Sequence, residues 1–310
     1  MKKAAMFLLM FMIVLSLFLG KEAIKFIEAE ENQISSYEAS MRRDILCLMM
    51  AYPEYITDIE KQGDDKVYIV LKSGKKLLYD DKKEKSLDEK MYNPDIEDVL
   101  GQNYPLTKID KLMEKDIDPG RVRMYSLLRE VYGASQSSVE KNLKTVSAGG
   151  SFQFNKNNNA HESLKAAMNE VLSLLKVKKG LSKFVFPTSG TFNYRVIAGT
   201  NLLSPHSFGI AIDLARDKKD YWKWASKDLG QKRIEEYPNE IVEIFEKHNF
   251  IWGGKWSHFD ILHYEYRPEI IMKARYFSNE YEIGKPWYDG VQFEDDSMEG
   301  YIEIIENKLK

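Results

Sequence analysis

Two short segments of the chain contain residues whose types and spacing suit metal chemistry. Segment 204–213 contains His206 and Asp213, and segment 256–265 contains His263. Neutral imidazole and carboxylate groups are good zinc ligands, and a catalytic zinc ion has three protein ligands and one open position. His206, Asp213 and His263 would supply those three ligands.

The first segment limits how its two candidate ligands can meet. From Phe208 to Asp213, apolar residues alternate with small ones, which predicts a strand with one apolar face. In a uniform strand, residues seven apart lie on opposite faces. His206 can therefore join Asp213 only from a loop before the strand, or across a bulge at Gly209. Pro205 favours the loop.

The second segment adds two carboxylates close to His263. Asp260 lies three residues before this histidine, and Glu265 lies two residues after it. If the segment is a strand, His263 and Glu265 share a face, and Glu265 could orient the ligand histidine. Asp260 would be a nearby carboxylate that is not needed to complete the ligand set.

The surrounding elements predict an α+β fold. Residues 162–176 carry apolar side chains at helical spacing, Pro238 favours the start of another helix, and a last amphipathic helix begins at about Met298. We expect a small antiparallel sheet with flanking helices that hold a zinc site. A smaller region, with a helix over 21–55 and a hairpin over 67–79, should precede it.

The N-terminus has the pattern of a targeting segment. Lys2 and Lys3 precede residues 4–20, which are uncharged and almost wholly apolar. This pattern is typical of a cleaved secretory signal or of an uncleaved membrane anchor, although a buried core helix is a further alternative. The first two interpretations predict an extracytoplasmic protein, membrane-anchored or secreted, that contacts the membrane only through this segment.

Composition excludes several classes of protein. Lys and Arg total 45 against 48 Asp and Glu, a net charge of -3, so the basic excess of a nucleic-acid binder is absent. Cys47 is the only cysteine, which excludes an intramolecular disulfide and any zinc site built from several cysteines.

Together, the two segments resemble the signature of the M15 peptidases, the D-alanyl-D-alanine carboxypeptidase and VanY-like group. That signature is Ser-x-His-x-x-Gly-x-Ala-x-Asp, followed later by Asp or Glu-x-x-His. Every fixed position is matched, by Ser204, His206, Gly209, Ala211, Asp213, Asp260 and His263. Residues 194–200 also resemble the arginine segment of the family.

The resemblance implies a role for each matching residue. One zinc ion per chain would be bound by His206, Asp213 and His263. Asp260 would be the general base, and Arg195 would face the substrate, although an ordinary surface salt bridge is the alternative for Arg195. His258 would contact the substrate or pack beside Trp256. Other possible substrate-contacting or ligand-orienting residues are Ser204 and Glu265.

The resemblance also implies a function and a division of the chain. The function is zinc-dependent hydrolysis of peptide bonds in peptidoglycan stem peptides, of the D-alanyl-D-alanine carboxypeptidase type. An L-alanyl-D-glutamate endopeptidase and a non-catalytic zinc-containing wall-binding module are the alternatives. The expected segments are a signal or anchor (1–20), an N-terminal region of unknown role (21–114), an M15-like zinc peptidase domain (115–290) and a C-terminal helix (291–310).

Overall fold

The computed structural model describes residues 34–63, 66–292 and 296–310. The predicted signal or anchor over residues 1–20 lies outside this part of the chain. Within it, no helix combines the length and the apolar character needed to cross a membrane.

The first elements are a helix and a three-stranded antiparallel sheet. Ser35 caps the helix by accepting a hydrogen bond from the backbone of Glu38. The elements are α1 (Ser36–Ala51), β1 (Ile56–Gln62), β2 (Lys66–Leu71) and β3 (Lys76–Leu78), with strand order β1-β2-β3. The predicted hairpin is confirmed as β2 and β3, and β1 is an additional strand that the sequence pattern did not predict.

Two short helices follow this sheet. They are α2 (Leu87–Tyr92) and α3 (Ile96–Leu100), and each begins with a capping box, at Ser86 and at Asp95. No residue of α2 is fully buried, although Met91 packs against the core, so this helix lies on the surface.

The middle of the chain alternates helices with a β-hairpin. Its elements are α4 (Tyr125–Tyr132), α5 (Gln136–Glu140), the paired strands β4 (Leu143–Ser147) and β5 (Ser151–Asn155), α6 (Ala160–Val177) and α7 (Ser182–Val185). The predicted helical stripe is confirmed in α6, where Leu164, Met168 and Val171 are buried.

A four-stranded antiparallel sheet carries the candidate site. Its strands are β6 (Thr188–Gly190), β7 (Ala211–Ala215), β8 (Phe250–Trp252) and β9 (His263–Tyr266), in the order β6-β7-β9-β8. The remaining helices are α8 (Lys227–Glu236), α9 (Asn239–Lys247), α10 (Pro268–Tyr276) and α11 (Asp296–Lys308). Mixed helices and small antiparallel sheets with flanking helices are therefore confirmed.

The N-terminal helix packs against the C-terminal part of the chain. Helix α1 contacts α10 and α11, and two buried polar contacts cross to α10. Tyr52 Oη, just after α1, donates to Glu269 at 2.8 Å, and Asp44 pairs with Lys273 at 2.6 Å. Buried apolar residues from Ala39 to Leu309 form one cluster. The boundary proposed near residue 115 stays a prediction.

Candidate active site

A tight turn, rather than a strand, carries His206. Residues Pro205–Phe208 form a single 3-10 turn, and the backbone N–H of His206 donates to the Ser204 hydroxyl at 3.4 Å. Gly209 ends the turn with φ +66°, and a Cβ at this position would lie 2.7 Å from Leu143 Cδ2. Only glycine fits this backbone conformation and this close approach. Of the two routes left open by the sequence, the loop is the one observed.

The prediction that a strand starts at Phe208, made from the alternation of residues 208–213, was wrong. Strand β7 begins at Ala211, because the chain is still leaving the left-handed turn at Gly209. The predicted apolar residues are nevertheless buried: Phe208, Ile210 and Ile212. Asn155 fixes the turn by donating from its side-chain amide to the carbonyl of Phe208 at 2.9 Å.

Strand register brings the three predicted ligands together. Asp213 in β7 pairs with His263 in β9, and the turn places His206 beside both. Asp213 Oδ1 lies 2.9 Å from His263 Nδ1 and 3.2 Å from His206 Nε2, and the two histidine nitrogens are 3.3 Å apart. The three groups could hold a metal ion.

These distances fit a tetrahedral zinc ion. With zinc–ligand bonds of about 2.0–2.2 Å, neighbouring ligand atoms of a tetrahedral site lie about 3.3 Å apart. The Nδ1 atom of His206 lies 2.5 Å from the carbonyl oxygen of Thr191. A carbonyl can only accept, so Nδ1 carries the proton and Nε2 keeps the lone pair that a metal needs.

A buried ion pair lies behind His263. The Nε2 atom of His263 is 3.7 Å from Glu265 Oε2. Arg123 donates to both oxygens of Glu265, at 2.8 and 2.6 Å. Burial alone would raise the pKa of Glu265, but Arg123 and His263 hold it well below its ordinary value. The carboxylate therefore stays charged and can orient the imidazole of His263.

Proton affinity at the ligands is strongly shifted. Burial alone would lower the pKa of His263, but hydrogen bonds with Asp213 and Glu265 raise it to about 10. Burial alone would raise the pKa of Asp213, but His206 and His263 hold it far below its ordinary value. Ligands bind metal in their deprotonated form, so a metal must displace the proton of His263, and its affinity should fall as the pH falls.

Asp260 lies beside the ligands, with its backbone fixed. Its N–H donates to the carbonyl of Gly253 at 2.9 Å, and its carbonyl accepts from the N–H of His263 at 3.0 Å. Desolvation raises the pKa of Asp260 to about 7; the charge of His263 opposes this rise and that of Asp213 adds to it. A metal cation nearby would lower it. A carboxyl group in this range can both accept and return a proton.

All the candidate residues except Glu265 border one cavity of about 460 Å³. It brings together the ligand set, the nearby carboxylate, Arg195, Ser204 and His258. Arg195 is exposed, and among the described residues no acidic side chain forms an ion pair with it. The ring of His258 packs edge-to-face against Trp222, with centroids 4.6 Å apart.

Several residues of this cavity were not singled out from the sequence. Arg121 and Arg123 border the cavity, and Asp118, which does not border it, bonds to His258 at 2.6 Å. Met91 reaches the cavity from α2 in the N-terminal region. The sequence Asp-Pro-Gly-Arg at 118–121 is typical of a turn, but nothing in it indicates that Asp118 would contact His258.

Comparison with known proteins finds one family whose model matches the segment that carries the candidate site. The family model of D-alanyl-D-alanine carboxypeptidases matches residues 198–266, a range that contains the ligand set and Asp260 but not Arg195. Searches of curated proteins and of solved structures found no match. The match supports a peptidase, broadly a hydrolase that acts on peptidoglycan. Residues 198–266 are therefore similar to the M15 peptidase family, and this similarity covers less than half of the chain.

Proposed function

We propose that this protein is a zinc-dependent peptidase that removes D-alanine from peptidoglycan stem peptides, as a D-alanyl-D-alanine carboxypeptidase. The supporting observation is the meeting of His206, Asp213 and His263 beside Asp260 in one open cavity. Zinc bound there would polarise the peptide carbonyl and make a water molecule more acidic.

The residues of the chain would then handle the proton and the charge. The carboxylate of Asp260 accepts a proton as water adds to the carbonyl carbon. It returns that proton to the amine as the carbon–nitrogen bond breaks. The guanidinium of Arg195 stabilises negative charge on the carbonyl oxygen, or binds the terminal carboxylate of the substrate.

A binding module with the same ligands is the competing function. Asp260 favours the enzyme, because it places beside the three candidate ligands a carboxyl group that is not needed to complete the ligand set and that can accept a proton. Such a group would be a cost without a benefit in a module that only binds.

The decisive test is Asp260→Asn, which nearly preserves shape and removes the proton acceptor. We expect this variant to keep its zinc and to lose hydrolysis by about 10²–10⁴-fold. The matched variant Asp213→Asn should lose zinc as well, because Asp213 is a ligand. Zinc content and released products, identified by mass spectrometry, are measured on both.

Three outcomes would change the proposal. Zinc-loaded protein that cleaves no wall peptide would indicate a binding module. Cleavage between L-alanine and D-glutamate, without release of D-alanine, would indicate the endopeptidase. An active Asp260→Asn variant would leave a peptidase in which Asp260 is not the base.

The proposal includes an extracytoplasmic location, either anchored or secreted, because the substrate lies outside the membrane. It is supported by the lysines and the apolar residues 4–20. Cell fractionation tests it, and protein found free in the cytosol would contradict it.

A further inference from the structure

A buried carboxylate lies behind one wall of the cavity. Asp118 is 2% exposed. Its Oδ1 atom accepts from the backbone N–H of His258 at 2.9 Å and from the Ser257 hydroxyl at 3.1 Å. Its Oδ2 atom lies 2.6 Å from His258 Nδ1 and accepts from Arg121 Nη1 at 3.3 Å. One carboxylate therefore holds two cavity-lining side chains, from segments far apart in sequence.

These contacts fix the ring of His258. An ionised carboxylate only accepts hydrogen bonds, so Nδ1 of His258 must be the donor to Asp118. Trp222 packs edge-to-face against the same ring and restricts its rotation. Among the residues that the structure describes, none hydrogen-bonds to Nε2 of His258, and the ring borders the cavity. The ring is thus oriented with one nitrogen free to meet a ligand.

Arg121 is oriented by the same oxygen. A guanidinium group has five N–H donors, and one amino group of Arg121 is bonded to Asp118. Like His258, Arg121 borders the cavity that contains the candidate metal ligands. The charge of Asp118 compensates the cationic character of this wall.

We propose that His258 and Arg121, both held by Asp118, bind a carboxylate of the substrate. This inference rests on the proposed function, since the ligand is a peptidoglycan stem peptide. A carboxylate has two acceptor oxygens, and charge-assisted hydrogen bonds from guanidinium and imidazolium are about twice as strong as neutral ones. The carboxylate belongs either to the C-terminus of the peptide or to an acidic residue within it.

The two kinds of residue have different roles. His258 and Arg121 contact the substrate, whereas Asp118 is a positioning residue that acts through them. An imidazole that donates from both nitrogens is positively charged, with Asp118 on one side and the substrate carboxylate on the other. Because this contact forms in the bound substrate, its loss should raise KM and leave kcat almost unchanged.

The test compares three synthetic stem pentapeptides that contain D-glutamate and end in D-alanyl-D-alanine. One has free carboxylates, one is amidated at the C-terminus, and one is amidated at D-glutamate. Binding is measured by calorimetry and hydrolysis by product release, with the full chain as wild type, His258→Ala and Arg121→Ala. Zinc content and circular dichroism check that each variant is intact.

We expect each variant to bind the free peptide about 10- to 100-fold more weakly, as expected for a lost hydrogen bond to a charged group. The same variants should show little further loss on the peptide whose amide replaces the bound carboxylate. If the variants bind the C-terminally amidated peptide as well as wild type does, the bound group is the terminal carboxylate. If they bind the peptide amidated at D-glutamate as well as wild type does, the bound group is the side chain of that residue.

Arg216→Ala is the matched control. It removes a positive charge from the same cavity, but Arg216 contacts Trp224 rather than Asp118. This variant should keep the wild-type preference for the free over the amidated peptide. An equal loss of preference in Arg216→Ala would show a general effect of charge and overturn the site.

The remaining outcomes separate this inference from the proposed function. If wild type shows no preference for free over amidated peptides, or binds none of them, the carboxylate site is overturned. If His258→Ala weakens all three peptides equally while zinc is retained, His258 has only a packing role. Wild type that prefers the free peptide but hydrolyses none keeps the site and overturns the peptidase.

Discussion

Two clusters of metal-ligating groups in this molecule have similar spacing but opposite surroundings. The first is the candidate ligand set His206, Asp213 and His263. The second lies in the N-terminal region, where Asp81, Asp95 and neighbouring acidic groups also place ligand atoms within 4.8 Å of one another. The two clusters differ in whether a positively charged side chain lies at their centre.

A lysine occupies the centre of the N-terminal cluster. Lys85 Nζ lies 3.2 Å from Asp81, 2.7 Å from Asp95 and 2.6 Å from Asp98. Burial alone would lower the pKa of Lys85, but hydrogen bonds with these carboxylates hold it above its ordinary value. Lys85 therefore compensates part of the negative charge of this cluster and occupies its centre. Among the described residues, no lysine or arginine contacts the ligand atoms of the first cluster. Proximity of carboxylates alone does not define a metal centre.

The largest expected effect is the loss of metal from the first cluster. His206→Ala and His263→Ala should each reduce zinc from about one ion per chain to almost none, since a catalytic site has three protein ligands. Elemental analysis of purified protein measures this. His248→Ala, which alters a histidine paired with Glu170 outside the cavity, should keep its zinc. Full zinc content in both ligand variants would show that the ligand set is wrong.

A smaller effect on zinc affinity is expected from Glu265, which lies behind the candidate ligand His263. Glu265→Gln should weaken zinc binding by about 10- to 100-fold without abolishing it, because the carboxylate that orients His263 is lost. Competition with a chelator measures the affinity. Glu246→Gln is the control, a buried glutamate that pairs with Lys255 instead. Equal affinity loss in the two variants would mean that general destabilisation, not orientation of His263, is responsible.

The smallest expected effect concerns the second cluster. Lys85→Met should lower the free energy of unfolding by roughly 2–3 kcal/mol, because charged hydrogen bonds are lost and Asp95 is left without a lysine partner. Zinc content should not change. Lys83→Met, whose side chain is 74% exposed, should change stability by less than about 0.5 kcal/mol. Denaturant unfolding compares them, and loss of zinc in Lys85→Met would connect two clusters that we regard as independent.

The sequence singled out three side chains that the structure brings together, but it did not indicate their partners. Ligand types and spacing are local, so His206, Asp213 and His263 could be proposed without a structure. The Arg123–Glu265 pair joins residues 142 apart, and the Asp118–His258 pair joins residues 140 apart. Such partners are chosen by tertiary packing, and local periodicity contains no information about them.

Helices and strands could likewise be predicted only where a local pattern of apolar residues marked them. Helix α6 was predicted because its apolar residues repeat over several turns, whereas β1 and α2 were missed. Strand β1 has only scattered buried positions, and α2 has no buried residue, so neither has a periodic apolar face to detect. The alternation before Asp213 reported which residues are buried but not where the strand starts, because a turn can bury the same side chains.

The packing of α1 against α10 has a practical consequence for protein production. A fragment that begins near residue 115 would uncover the apolar face of α10 and leave Glu269 and Lys273 without Tyr52 and Asp44. Newly exposed apolar patches of this kind promote aggregation. The fragment would also lack Met91, which borders the cavity. Inclusion bodies or altered substrate preference from such a fragment would therefore reflect the missing N-terminal region rather than an intrinsic property of the proposed catalytic segment.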